Sequence, residues 1–115
     1  MNSIYTALAE LANTNESAAL CTVTKSEGST PRRVGSKMLV LPDGKFLGTV
    51  GGGELESRVI NAALDTIRSG KAQNLSYTMA DPSRGDPGVC GGTVEVFVEP
   101  ILPPATMVVI GGGHV

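Results

Sequence analysis

Apolar positions along this chain recur with two different periods. From Ser3 to Asn13, Ile4, Ala7, Leu8 and Leu11 fall on one face at helical spacing, and Ser3 is placed to cap; the pattern predicts a short helix. Ala18 to Thr24 is an apolar run with threonines, which predicts a strand. A loop is expected over Glu27 to Gly35. Ser36 to Leu41 and Lys45 to Val50 flank Pro42-Asp43-Gly44, where Pro fixes φ and Gly permits a positive φ, so the three segments predict a hairpin. Gly51-Gly52-Gly53 ends it. Leu55, Val59, Ala63 and Ile67 then repeat every fourth residue, widened by Ile60 and Leu64, and predict a helix over 54–69. Glu54 and Glu56 in its first turn and Arg68 in its last suit the helix dipole, and Gly70 is a natural stop. Gln73 to Met79 predicts a strand, Ala80 to Gly92 a loop, and Thr93 to Val98 a half-buried strand with Val94, Val96 and Val98 on one side. Pro100, Pro103 and Pro104 read as a stiff linker before a short strand, Met107 to Ile110.

These elements predict an α/β fold, a mixed sheet whose hairpin packs against the 54–69 helix. One amphipathic helix cannot cover both faces of such a sheet, so the N-terminal helix, a second domain or another protomer is expected to supply the rest. The last strand runs into Gly111-Gly112-Gly113-His114-Val115. A strand followed by a glycine cluster is how a dinucleotide-type βαβ unit begins. The expected organisation is a first domain over 1–100, a linker over 101–105 and the start of a truncated Rossmann-like domain over 106–115. A glycine-rich tail on a single domain is the alternative.

Composition narrows the function classes. The 115 residues amount to about one domain. Fifteen are Gly, well above a typical share of about 7%, but they are clustered rather than spaced every third residue, which excludes collagen. Nine basic residues face 11 acidic ones, so nucleic acid is not bound through bulk charge. Two Tyr, two Phe and no Trp leave little for base stacking. Two cysteines, Cys21 and Cys90, form no C-x-x-C pair, and His114 is the one histidine; a Ser-His-Asp triad or a multi-histidine metal site does not fit. No secretory signal or membrane-length apolar run is visible, and a cytoplasmic protein with reduced thiols is expected.

Three glycine-bearing loops carry the candidate chemistry. Gly28-Ser29-Thr30-Pro31-Arg32-Arg33 offers two hydroxyls and guanidinium forks suited to phosphate or carboxylate; a polar turn with solvated arginines is the plain alternative. Gly51-Gly52-Gly53 opens a helix whose amides favour an anion. Glu54 and Glu56 at the same end either repel a phosphate, accept hydrogen bonds from a polar ligand or metal, or simply balance the dipole. There is no Walker Gly-Lys-Ser/Thr, so a nucleoside-triphosphate P-loop is excluded. In Val89-Cys90-Gly91-Gly92 the flanking glycines leave a thiol accessible to a soft metal or an electrophile, or else Cys90 is a small core residue. Cys21, within an apolar strand, is expected in the core.

Taken in order, the blocks Gly28 to Arg32, Gly35 to Met38, Gly48 to Glu56, Cys90 to Gly92 and Val109 to Val115 resemble the XdhC/CoxI family, accessory factors for xanthine dehydrogenase and related molybdenum hydroxylases. The resemblance runs from about Ala18 to Val115. It implies a chaperone-like maturation factor rather than a catalyst. Such a factor binds molybdenum cofactor (molybdopterin), keeps it available for sulfuration and helps insert it into the target hydroxylase. Its partners would be that hydroxylase and a cysteine desulfurase, with homodimerisation left open. A nucleotide would belong to the missing second domain. The candidate cofactor-binding residues are Ser29, Thr30, Arg32, Gly51, Gly52, Gly53, Glu54, Cys90, Gly91, Gly92, Gly111 and Gly113, with Arg32 or the loop amides meeting the phosphate and Cys90 near the metal or its sulfur. A fragment of a dinucleotide-dependent oxidoreductase and a ligand-free protein-interaction module are the two competing readings.

Overall fold

Ser3 caps the first helix: its Oγ accepts from the Thr6 amide at 3.1 Å, satisfying one of the free N–H groups of the first turn. The computed structural model describes residues 3–28, 33–51, 53–79 and 92–102. Its elements in chain order are α1 (Ile4–Leu11), β1 (Ala18–Gly28), β2 (Lys37–Val40), β3 (Phe46–Gly48), α2 (Gly53–Ser69), β4 (Gln73–Met79) and β5 (Gly92–Ile101). The strands form one sheet in the order β3-β2-β1-β5-β4. Every pairing among the described residues is antiparallel, which corrects the expected mixed sheet. The expected residues 106–115 lie outside the described residues, as do those of the linker beyond Leu102.

The sheet is covered on both faces, unequally. On one face α2 packs Leu55, Val59 and Ala63 against Ala19, Cys21 and Val23 of β1, Met38 and Val40 of β2, and Val94, Val96 and Val98 of β5. The helix therefore lies chiefly over β1 and β5 and meets the hairpin at β2. On the other face α1 sets Leu11, with Ile4, Ala7 and Leu8, against Ala18, Leu20 and Leu39. That double cover explains why Ala18 to Cys21 is apolar at every position rather than alternating. The N-terminal helix thus supplies part of the second cover that the sheet required.

β1 continues four residues past its apolar run, and a bulge is the reason. Val23 pairs with Val96 but Lys25 pairs with Glu95, leaving Thr24 as the extra residue; its Oγ1 donates to the Glu95 carbonyl at 3.3 Å. The bulge shifts the alternation so that Lys25 and Glu27 fall on the Glu95 side of the sheet instead of the helix-covered side. There they form an exposed ion pair at 3.6 Å. Glu27 and Gly28, expected in a loop, are therefore strand residues. Pro100, expected in a linker, pairs with Ala19 inside β5. β4 reaches only as far as Val98, so β5 has one unpaired side there and tolerates a residue without an N–H.

Candidate functional site

The site is built at one end of the sheet by strand register. Gly28, the last residue of β1, pairs with Gly92, the first of β5, and Gly92 pairs on its other side with Met79, the last of β4. From this one row the chain runs on into the Ser29–Arg32 segment and into residues 80–91, which hold Cys90 and Gly91. Two of the three glycine-bearing loops thus meet the sheet side by side, although 63 positions separate Gly28 from Gly91 in sequence.

The third loop reaches the same end through α2. Gln73, at the opposite end of β4, donates from Nε2 to the Ala62 carbonyl at 3.2 Å and to Thr66 Oγ1 at 2.9 Å. This fixes the C-terminal half of α2 there. From Thr66 back to Gly53 the helix rises about 20 Å, and β4 from Gln73 to Met79 also advances about 20 Å. The start of α2 therefore lies towards the Gly28–Gly92–Met79 row.

Val50 and Leu55 are both buried in the core and anchor the two sides of the triple glycine. Gly51 has φ 142° and Gly53 φ 62°, both in territory that favours glycine. Thr49 Oγ1 accepts from the Gly51 amide at 3.0 Å and donates to the Glu56 carboxylate. Glu54 is paired with Arg58 at 2.6 Å. Neither glutamate is an uncommitted negative charge at the helix start, so of the alternatives left open by the sequence, repulsion of an anion is moderated. Gly28 and Gly92 give the end of the sheet backbone without side chains, which a flat ring can approach closely.

Of the candidate residues, Gly51, Gly53, Glu54 and Gly92 are among the described residues: Gly92 is in the row itself, and Gly53 and Glu54 open α2. Ser29, Thr30, Arg32, Gly52, Cys90, Gly91, Gly111 and Gly113 lie outside the described residues. Among the described residues no group of three or more His, Cys, Asp and Glu could hold a metal ion, and no helix is long and apolar enough to cross a membrane. Cys21 is fully buried, and burial pushes its thiol up to about 12, so it is an inert core residue as expected. An open hollow lined by Leu41, Asp43, Gly44, Lys45, Phe46 and Leu47 lies at the hairpin turn, the opposite end of the sheet. It gathers few polar groups and none of the candidate residues. Sequence reading missed Thr49, whose only signal was a hydroxyl two residues before a glycine cluster.

Comparison with known proteins agrees with the motif order. The model of the XdhC and CoxI family matches residues 11–78. The chain belongs to the XdhC and CoxI family. Three curated relatives are similar in sequence. An uncharacterized Escherichia coli protein, YqeB, is 36% identical over 98% of this chain and 21% of its own length. The molybdenum cofactor insertion chaperone PaoD of Escherichia coli is 30% identical over 69% of this chain and 25% of its own. A Bacillus subtilis protein described as a probable xanthine dehydrogenase subunit is 32% identical over 88% of this chain and 32% of its own. The chain thus spans a fifth to a third of the length of these relatives. Among solved structures, one described as a xanthine dehydrogenase from Bacillus halodurans superposes with a TM-score of 0.66 at 29% identity, over 82% of this chain and 29% of that one.

Proposed function

We propose that this protein binds molybdenum cofactor at the glycine-loop end of the sheet and serves the maturation of a xanthine dehydrogenase-type molybdenum hydroxylase. The observation that supports the reading is the Gly28–Gly92–Met79 row, which sets side by side the strand ends next to the segments bearing Arg32 and Cys90 in the sequence of a member of the XdhC and CoxI family. The name of PaoD, a molybdenum cofactor insertion chaperone, supports the ligand class. Backbone at Gly28, Gly51, Gly53 and Gly92 suits the flat pterin. Ser29, Thr30, Arg32 and the amides around Gly52 suit its phosphate. Cys90, followed by Gly91 and Gly92, suits the molybdenum or its sulfur, and Gly91 keeps the approach open. Glu54 contributes indirectly, through Arg58.

The finer parts of the reading follow from the same ligand. Sulfuration of the bound cofactor calls for a sulfur donor such as a cysteine desulfurase, and delivery calls for the hydroxylase itself. Gly111 and Gly113 would begin a Rossmann-like unit. A soluble cytoplasmic protein, with or without homodimerisation, fits this role.

The test is anaerobic incubation of the purified protein with molybdenum cofactor, followed by measurement of retained molybdenum. Retention by the parent, and its loss in Arg32→Ala and Cys90→Ala, is the expected result. A parent that retains no molybdenum would sink the functional reading; variants that retain as much as the parent would sink the site assignment alone. Two relatives bear the name of the dehydrogenase itself, which favours a second reading as a stable part of the enzyme. Co-purification with the hydroxylase through gel filtration, rather than transient contact, would favour it.

A further inference from the structure

The connection between β3 and α2 is held by more than its glycines. Gly48 has φ 78°, and a Cβ there would stand 2.4 Å from the Lys37 carbonyl oxygen and 2.7 Å from Ile4 Cδ1, so the chain leaves β3 through a gap only glycine fits. Val50 then plunges into the core. Thr49, between them, is exposed. Its hydroxyl donates to the Glu56 carboxylate while accepting from the Gly51 amide. Hydrogen bonds between such exposed groups add little to global stability. Their effect is local: a carboxylate on the first turn of α2 orients a hydroxyl, and the hydroxyl orients the first amide of the triple glycine.

We propose that Glu56 is a positioning residue for the ligand site, acting through Thr49 to hold Thr49 to Gly51 in the conformation that receives the ligand. Gly51, without a side chain, has many backbone conformations open to it in the absence of such bonds. Restricting them beforehand lowers the ordering cost at the moment of binding. The inference rests on the cofactor-binding reading above, and it gives Glu56 a part that neither anion repulsion nor dipole balance provides.

Two measurements on the purified protein separate the claims. Hydrogen exchange at the Gly51 amide tests positioning without any ligand. It should speed up in Glu56→Ala and Thr49→Val, and stay near the parent rate in Glu56→Gln and Thr49→Ser, which keep an acceptor and a hydroxyl. Retained molybdenum after anaerobic incubation with molybdenum cofactor tests the link to the ligand. It should correspond to affinity about three- to tenfold weaker in Glu56→Ala, with recovery in Glu56→Gln, while the melting temperature stays near the parent's in both. Unchanged exchange in Glu56→Ala and Thr49→Val overturns the positioning role. Faster exchange with undiminished retention overturns its connection to the site. A parent that retains no molybdenum overturns the functional reading, and the exchange comparison still decides whether Glu56 positions the loop.

Discussion

Gly28 of β1 and Gly92 of β5 are partners across the sheet, two residues without side chains at the point where two candidate loops join the fold. That pairing converts a distant sequence relationship into a local one. It lies at the end of the sheet opposite the Pro42-Asp43-Gly44 turn of the hairpin.

Gly48 should be the least replaceable glycine among those described. Gly48→Ala places a side chain at positive φ and into the Lys37 carbonyl and the α1 residue Ile4. Backbone strain and overpacking together should cost about 2–4 kcal/mol. Gly44→Ala has a similar φ of 92° but nothing within 4 Å, and should cost about 1–2 kcal/mol. Urea denaturation of the two variants against the parent checks the contrast; equal losses would show that the close approach is relieved by movement.

Thr66 and Gln73 should be energetically coupled. Thr66 is buried and takes a hydrogen bond from Gln73, whose amide also bonds the Ala62 carbonyl. Thr66→Val should cost about 1–2 kcal/mol by removing one partner of a part-buried amide. A double-mutant cycle with Gln73→Ala should return a coupling of about 0.5–1.5 kcal/mol, measured by chemical denaturation. Additive losses would mean that α2 is held at this end by its apolar contacts alone.

Stability should fall at alkaline pH through Cys21. Its thiol, ordinarily near 9, is pushed up to about 12 by burial. An acid raised on folding stays neutral in the folded state while the unfolded chain ionises. Its contribution is therefore complete below pH 9 and is lost as the pH climbs towards 12. Tyr77, raised chiefly by burial, acts in the same direction above its ordinary range. Between about pH 8 and about pH 10.5 the parent should lose up to about 1.4 kcal/mol per unit beyond pH 9 relative to Cys21→Ala. Parallel curves for the two proteins, from urea titrations at each pH, would contradict this.

The helices were legible in the sequence because their apolar spacing matches what they bury: Leu55, Val59 and Ala63 on α2, Leu11 on α1. The end of β1 was not, because the bulge at Thr24 breaks the alternation that marks a strand and puts Lys25 and Glu27 where a loop is expected. Pro100 misled for the opposite reason: it suggests a linker unless one knows that β4 stops opposite Val98. Thr66 gave no sign of burial, since its partner Gln73 comes from the next strand. For the candidate site, the motifs supplied residue types, and the pairing of Gly28, Gly92 and Met79 showed that the strand ends beside two of the motifs are neighbours. Glu54 and Glu56 are bonded to Arg58 and Thr49, neighbours that charge counting does not weigh.

The central claim is that the three glycine-bearing loops serve one ligand at one end of the sheet. Hydrogen exchange of the purified protein, followed by mass spectrometry with and without molybdenum cofactor, tests it most directly. The account predicts joint protection of peptides covering 28–35, 49–54 and 88–93, with the 41–46 hairpin turn and residues 70–72 unchanged. Protection confined to the hairpin turn, or to one loop without the other two, would contradict it.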